Sequence, residues 1–245
     1  MDTDGYFDKS VAERYDDPSD EMFSPVVIAA TVDFLHEESR GGHALEFGIG
    51  TGRIALPLFD RGMAVAGIDL SQAMLDQLAR KPGAESIEVT RGDFAATRAT
   101  GNFSLVYLVF NTIMNLTTQA EQVACFRNAA VHLEPRGWFV IEVMVPDLQR
   151  LPPGQTTVVF RSDESGWGID EYDVAHQGLV SHHLDIEGDE VMRTSVPFRY
   201  VWPAELDLMA ELAGMRLVHR YGGWDRRPFD ADCRQHVSVW EKSDQ

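Results

Sequence analysis

Cysteine is nearly absent from this chain: Cys125 and Cys233 are the only two among 245 residues. They match no metal-ligand spacing, and the reading is two free thiols in a reducing cytoplasm. Long apolar runs are missing as well. No stretch approaches the roughly 18 residues of a membrane span. The opening Met1-Asp2-Thr3-Asp4-Gly5 is acidic and lacks the apolar core of a secretory signal, so the expected location is cytoplasmic. Positive charge is scarce, with 21 Lys and Arg against 39 Asp and Glu and a formal net charge of −18. Nucleic-acid affinity rests largely on basic side chains that neutralise phosphates. No local basic run compensates, so neither nucleic acid nor membrane is an expected partner. Internal repeats, low-complexity tracts, a metal-binding cluster, a Ser-His-Asp order and a phosphate-binding lysine are also not found.

What remains is an ordinary globular composition, 44% hydrophobic and 24% charged, long enough for one α/β core. Residues 44–53, Ala-Leu-Glu-Phe-Gly-Ile-Gly-Thr-Gly-Arg, organise the reading. A short apolar run carrying Glu46 meets Gly48, Gly50 and Gly52 on alternate positions, and a helical pattern begins at Ile54. A strand ending in a glycine turn that opens a helix lets a nucleotide approach the backbone closely. A dinucleotide site would want its third glycine one residue later, where Arg53 stands. An acid at Glu46 would also repel a pyrophosphate, whereas it suits a ligand carrying an amino group and a positive sulfur.

Strand and helix patterns then alternate. Ser24-Pro25 reads as an N-cap and first-turn proline of a helix that Gly41-Gly42 stops. Pro57 falls inside the helical pattern after the glycine loop and is expected to bend it. Val65–Ile68 is a buried strand ending at Asp69, Ser71 caps a short helix, and Ile87–Thr90 leads to Gly92-Asp93-Phe94. Ser104–Phe110 reads as a central strand buried on both faces. Thr118 and Glu121 form a capping box. Pro135-Arg136-Gly137 is expected to turn the chain into a strand over Trp138–Val145. From 146 the helical period disappears, and strands are expected near 156–161, 169–176, 178–187 and 191–202. A helix from Pro203 and strands at 216–221 and 236–241 close the chain. The expected organisation is a covering segment over 1–23, an α/β domain over 24–145 and 203–245, and an inserted antiparallel sheet over 146–202.

Glu46-x-Gly48-x-Gly50-x-Gly52 after a strand resembles motif I of the class I S-adenosylmethionine-dependent methyltransferases. The resemblance covers about residues 10–145 and 203–241. It implies a Rossmann-like sheet of seven strands, the last antiparallel, with the inserted sheet after the fifth. Asp69, about twenty residues after Gly48, stands where a carboxylate accepts ribose hydroxyls. By the same resemblance Asp93 meets the adenine amino group with Phe94 against the ring, and Leu70 and Met74 form the apolar side of the slot. Phe110 and Asn111 end the strand that faces the transferable methyl, with Asn115 four residues on. The Pro-Pro-aromatic sequence of base-modifying members is missing after Asn111. Tyr15-Asp16 and the inserted sheet are similar to the nucleotide-sugar amine dimethyltransferase branch, which implies a lid role for Tyr15.

The expected function is methyl transfer from S-adenosylmethionine to nitrogen or oxygen of a small molecule. The alternatives are a nicotinamide-dinucleotide oxidoreductase and a non-catalytic donor-binding module. On the acceptor side the alternation places His182 with Val180, Leu184 and Ile186 on the face expected to cover the pocket, and His183 toward solvent. His182 is therefore the candidate base. Asn111, Asn115, Tyr172, Arg199 and Trp224 are the candidate substrate contacts.

Overall fold

The computed structural model describes residues 6–16, 24–188 and 190–244. Residues 1–5 and 17–23 of the expected covering segment lie outside the described residues. Within it, α1 (Lys9–Arg14) is capped by Asp8, which accepts from Ser10 and Val11.

The main sheet has seven strands in the order β10-β11-β5-β4-β1-β2-β3. Strands β1 (Ala44–Phe47), β2 (Val65–Asp69), β3 (Glu88–Arg91), β4 (Phe103–Leu108) and β5 (Leu133–Met144) run parallel. The last strand, β11 (Gln235–Lys242), runs antiparallel both to β5 and to β10 (Met215–Tyr221). Alternation in β4 divides the core. Val106 and Leu108 face one cluster with Phe126, Phe139 and Trp240. Leu105 and Tyr107 face another with Phe34, Leu35 and Leu58. The first cluster is covered by α5 (Gln119–His132) and α6 (Pro203–Leu212), the second by α2 (Pro25–Glu38) and α3 (Ala55–Asp60). The expected caps are present: Ser24 on α2, Thr118 with Glu121 on α5, and Ser71 on α4 (Gln72–Leu78).

Two local expectations change. Helix α3 begins at Ala55, so Pro57 sits in its first turn, where a missing N–H removes no intrahelical bond. Residues 134–137 do not precede β5 but bulge within it, because Phe103 pairs with Leu133 while Leu105 pairs with Trp138. Arg136 takes a left-handed φ of 62° there.

The second sheet is a four-stranded antiparallel meander, β6 (Thr157–Asp163), β7 (Gly166–Asp173), β8 (Gly178–Glu187) and β9 (Glu190–Arg199). Tyr172 and Leu179 anchor it to the α5–α6 core. At its root Arg199, 5% exposed, is held by Glu205 at 2.7 Å and by both Gln122 and Gln177. Gln122 also donates to the carbonyls of Ile113, Leu116 and Arg199, so one buried amide joins the turn after β4 to the second sheet. Removing one partner of a buried ion pair strands the other charge. Glu205→Ala is expected to lower stability by about 3 kcal/mol, read from the urea midpoint; a loss below about 0.5 kcal/mol would show that the glutamines alone satisfy Arg199.

Candidate active site

The parallel register brings the ends of β1 to β4 to one edge of the sheet. Phe47 pairs with Ile68, Glu46 with Tyr107, and Asp69 with Arg91, so the turns that follow converge. Gly48 has φ 73°, and a Cβ there would stand 2.7 Å from Thr112 Cγ2, so this glycine lets the β1 turn close on the β4 turn. Gly50 has φ 54°, and its added Cβ would meet only the Gly48 carbonyl, at 3.9 Å. Its N–H donates to Asp69 Oδ2 at 2.7 Å, while Asp69 Oδ1 accepts from Ser71 N at 2.9 Å. One carboxylate thus fastens the glycine loop to the β2–α4 turn.

These turns enclose a cavity of about 270 Å³. Of the residues expected at the cofactor, Tyr15, Gly48, Gly50, Asp69, Leu70, Met74, Asp93 and Phe94 line it, and so does Asn115. Asp93 Oδ1 accepts from Ala95 N at 2.8 Å, which fixes the turn after β3. Sequence reasoning missed Phe7, Thr112, Thr117, Glu121 and Pro197 on its walls. Thr117 and Glu121 flank a capping Thr118 legible in sequence, but nothing local marks Pro197, which arrives from β9.

Three expected cofactor residues stand elsewhere. Gly52 packs against α4, since a Cβ would lie 2.4 Å from Leu78 Cδ1. Glu46 is 3% exposed, accepts from Tyr107 Oη at 2.9 Å and sits behind the loop instead of on the cavity wall. Phe110 faces a different cavity. The first wall is closed by the chain around Tyr15. The Tyr15 carbonyl accepts from Arg53 Nη2 at 2.6 Å, and its ring lies 4.6 Å from that guanidinium. Asp16 accepts from Thr51 Oγ1 at 2.7 Å and pairs with Lys81 at 2.6 Å. Burial alone would raise the Asp16 pKa, but the bonds from Lys81 and Thr51 outweigh it and hold the carboxyl below its ordinary value.

The expected acceptor residues are not brought together. Asn111 Oδ1 is taken by Met144 N at 2.6 Å, and Arg199 is occupied in its buried network. Tyr172 lines a cavity of about 360 Å³ under the second sheet with Phe160 and Asp170. Trp224 lines another of about 240 Å³ beside Phe110 and Glu142. The expected inward face of β8 is corrected: Leu179 and Ser181 are buried, whereas Ile186 is 42% exposed. His182 bonds Ser195 at 2.8 Å and approaches Glu171 at 3.4 Å, on the less buried face, and lines none of the three cavities. His183 is the half-buried neighbour, bonded to Ser181 and edge-on to Phe160. The buried face is the one that carries Leu179, Ser181 and His183, so simple alternation of polarity misassigned the two histidines.

Burial is the main reason the Glu46 pKa rises to about 8, opposed by the Tyr107 hydroxyl. Because the folded value lies above the unfolded one, the stabilisation is complete below about 4.5 and is lost as pH climbs through 8. Glu46→Gln should therefore gain stability relative to the parent between pH 5 and pH 9, measured as the difference in thermal midpoint; a pH-independent difference would mean Glu46 folds already ionised.

A family model described as a methyltransferase domain matches residues 44–137. The cypemycin N-terminal methyltransferase from Streptomyces sp is 28% identical over 241 residues, covering 96% of this chain and 97% of that one. The structure of the CcbJ methyltransferase from Streptomyces caelestis is 35% identical, with a TM-score of 0.88 over 99% of this chain and 100% of its own. A methyltransferase structure from Clostridium acetobutylicum shares the fold at 13% identity, with a TM-score of 0.77 over 96% of this chain and 98% of that one. With the glycine loop, the acid that ends β2, the acid that follows β3, and the strand order all in place, the chain belongs to the class I S-adenosylmethionine-dependent methyltransferases.

Proposed function

We propose that the enzyme methylates a nitrogen atom of a small organic acceptor, with the donor held in the 270 Å³ cavity. The observation that carries the donor assignment is the convergence of Gly48, Gly50, Asp69 and Asp93 on that one space. The open approach at Gly50 fits a ligand pressed against backbone, and acids suit a donor with a cationic sulfur and an amino group. In this reading Asp69 takes the ribose hydroxyls and Asp93 the adenine amino group. Phe94, Leu70 and Met74 form the apolar wall, and Tyr15 closes over the donor. The preference for nitrogen draws on the relative that matches over the whole length, whose name is cypemycin N-terminal methyltransferase.

When bound, S-adenosylmethionine supplies an electrophilic methyl: the acceptor lone pair forms the new bond to carbon while the carbon–sulfur pair stays on sulfur. The protein's own contribution is to align the acceptor and exclude water. Residues 6–16 serve as part of the lid over the α/β domain, and the second sheet covers the acceptor side. Two free thiols and the acidic excess fit a cytoplasmic enzyme. No helix of the described residues is long and apolar enough to cross a membrane.

The test is calorimetry with S-adenosylmethionine, followed by assay of S-adenosylhomocysteine release over a panel of amines and alcohols. Donor binding and product release are both expected; binding without release over the whole panel would instead identify a binding module. Asp69→Ala should weaken donor binding by about 1–3 kcal/mol, as for hydrogen bonds to a charged group. Unchanged affinity would remove Asp69 from the ligand set.

A further inference from the structure

Three glutamates are buried among the described residues: Glu46, Glu142 and Glu241. Two have obvious side-chain partners, Tyr107 for Glu46, and Arg216 with Arg136 for Glu241. Glu142, 4% exposed, has neither an arginine nor a lysine at ion-pair distance among the described residues. Its bonds are to main chain: Oε2 accepts from Phe110 N at 2.6 Å, and the Asn111 N–H is also aimed at the carboxylate. A buried carboxylate without a cation is expensive, and this one borders open space.

That space is the 240 Å³ cavity between the start of α2, the turn after β4, the end of β5 and the β10–β11 loop. Val26, Val27, Ala30 and the rings of Phe110 and Trp224 make its walls largely apolar. Aromatic faces around one carboxylate recognise an organic cation. The other charged groups on its walls are Asp225 and Arg227. Arg227 Nε is spent on the Gly222 carbonyl at 2.9 Å, and Asp225 caps the Arg227 N–H at 3.3 Å. From β11, burial first and the Arg220 charge second push His236 down to about 3, so it stays neutral. Arg53 stands beyond the Phe110 ring, 5.7 Å from its centre.

The turn that Glu142 holds borders both this cavity and the donor cavity. Phe110 borders one and Thr112 the other. Phe110 and Asn111 both adopt left-handed backbone, φ 55° and 61°, which non-glycine residues keep only when the surroundings enforce it. The Glu142 bond to Phe110 and the Met144 bond to Asn111 supply that enforcement from β5.

We propose that this cavity receives the acceptor as an alkylammonium ion and that Glu142 takes its proton, an inference that rests on the methyltransferase reading of the first cavity. The transfer converts the ammonium and the carboxylate into a neutral amine and a carboxylic acid, which exposes the nitrogen lone pair. The proton passes to water as the product leaves. Burial raises the Glu142 pKa to about 7 against the pull of the Phe110 and Asn111 N–H groups. A base of that strength is matched to neutral pH.

The experiment uses the full chain in three arms. With S-adenosylhomocysteine present, benzylamine should change tryptophan fluorescence where benzyl alcohol does not, and Trp224→Phe should abolish the change. Over a panel of primary amines and matched alcohols, only amines should release S-adenosylhomocysteine from the donor. Glu142→Gln should lower turnover at pH 7 at least tenfold and leave donor affinity within twofold. Its residual rate should rise about tenfold per pH unit, as the free-amine fraction does, while the parent levels off above pH 7. Glu142→Asp should recover part of the rate.

Should Glu142→Gln fail to fold, Val27→Lys tests the same point by placing a tethered ammonium in the cavity. It should block amine turnover with donor binding intact, and unaffected turnover would overturn the proposal. So would turnover of alcohols alone, a Glu142→Gln loss confined to donor affinity, or loss of turnover in His182→Ala with Glu142→Gln active. No amine turned over by a parent that binds donor also overturns it. Failure of the parent to bind donor at all instead sinks the reading of the first cavity.

Discussion

The bond from Gly50 N–H to Asp69 Oδ2, 2.7 Å long, is the constraint on which the site depends. Parallel pairing of β1 with β2 fixes where the two turns begin, but not how they fold toward each other. Asp69 decides that, because its second oxygen holds Ser71 N and thereby starts α4. Ser71 in turn donates from Oγ to the Phe7 carbonyl at 2.6 Å, which carries the same constraint into the N-terminal chain. Glycine loop, acid, helix cap and covering segment are therefore one hydrogen-bonded series. A charged acceptor at its centre suits this, since bonds to ionised groups are stronger than neutral ones.

Much of this was legible in the sequence for a physical reason. Glycines on alternate positions, an acid after a strand and a Ser or Thr before a helix act on neighbours within a few residues, so spacing alone reports them. The fold followed from the alternation of strand and helix patterns, and the second sheet from the loss of helical period after 146. What spacing could not report is which carboxylates are buried by distant chain. Glu46 is an acid suited to a ligand when read with its glycines, yet Tyr107 of β4, sixty-one residues away, claims it. Glu142 reads as one polar residue in an apolar strand, and only the left-handed turn at Phe110 and Asn111 explains it. His182 was misplaced for a related reason. The face of β8 is chosen by contacts of Leu179 and Tyr172 with the α5–α6 core, and the strand's own pattern is too mixed to show it.

The chain around Tyr15 and the turn after β4 divide the work between them. Asp16 is fixed by Thr51 and Arg53 of the glycine loop and by Lys81 in the turn after α4. Those contacts hold Tyr15 on the wall of the cavity from the N-terminal side. The second cavity opens between α2 and the β10–β11 loop, away from Asp16. On the proposed assignment, donor and acceptor meet at the turn of residues 110–112. The acceptor's charge is met by Glu142 before it nears the sulfonium. A cation approaching a cation is repelled, and in a medium of low dielectric that repulsion is large. Placing the carboxylate on the acceptor's side of the turn removes the acceptor's charge where it would do most harm, so the same group answers both the electrostatic problem and the need for a free lone pair.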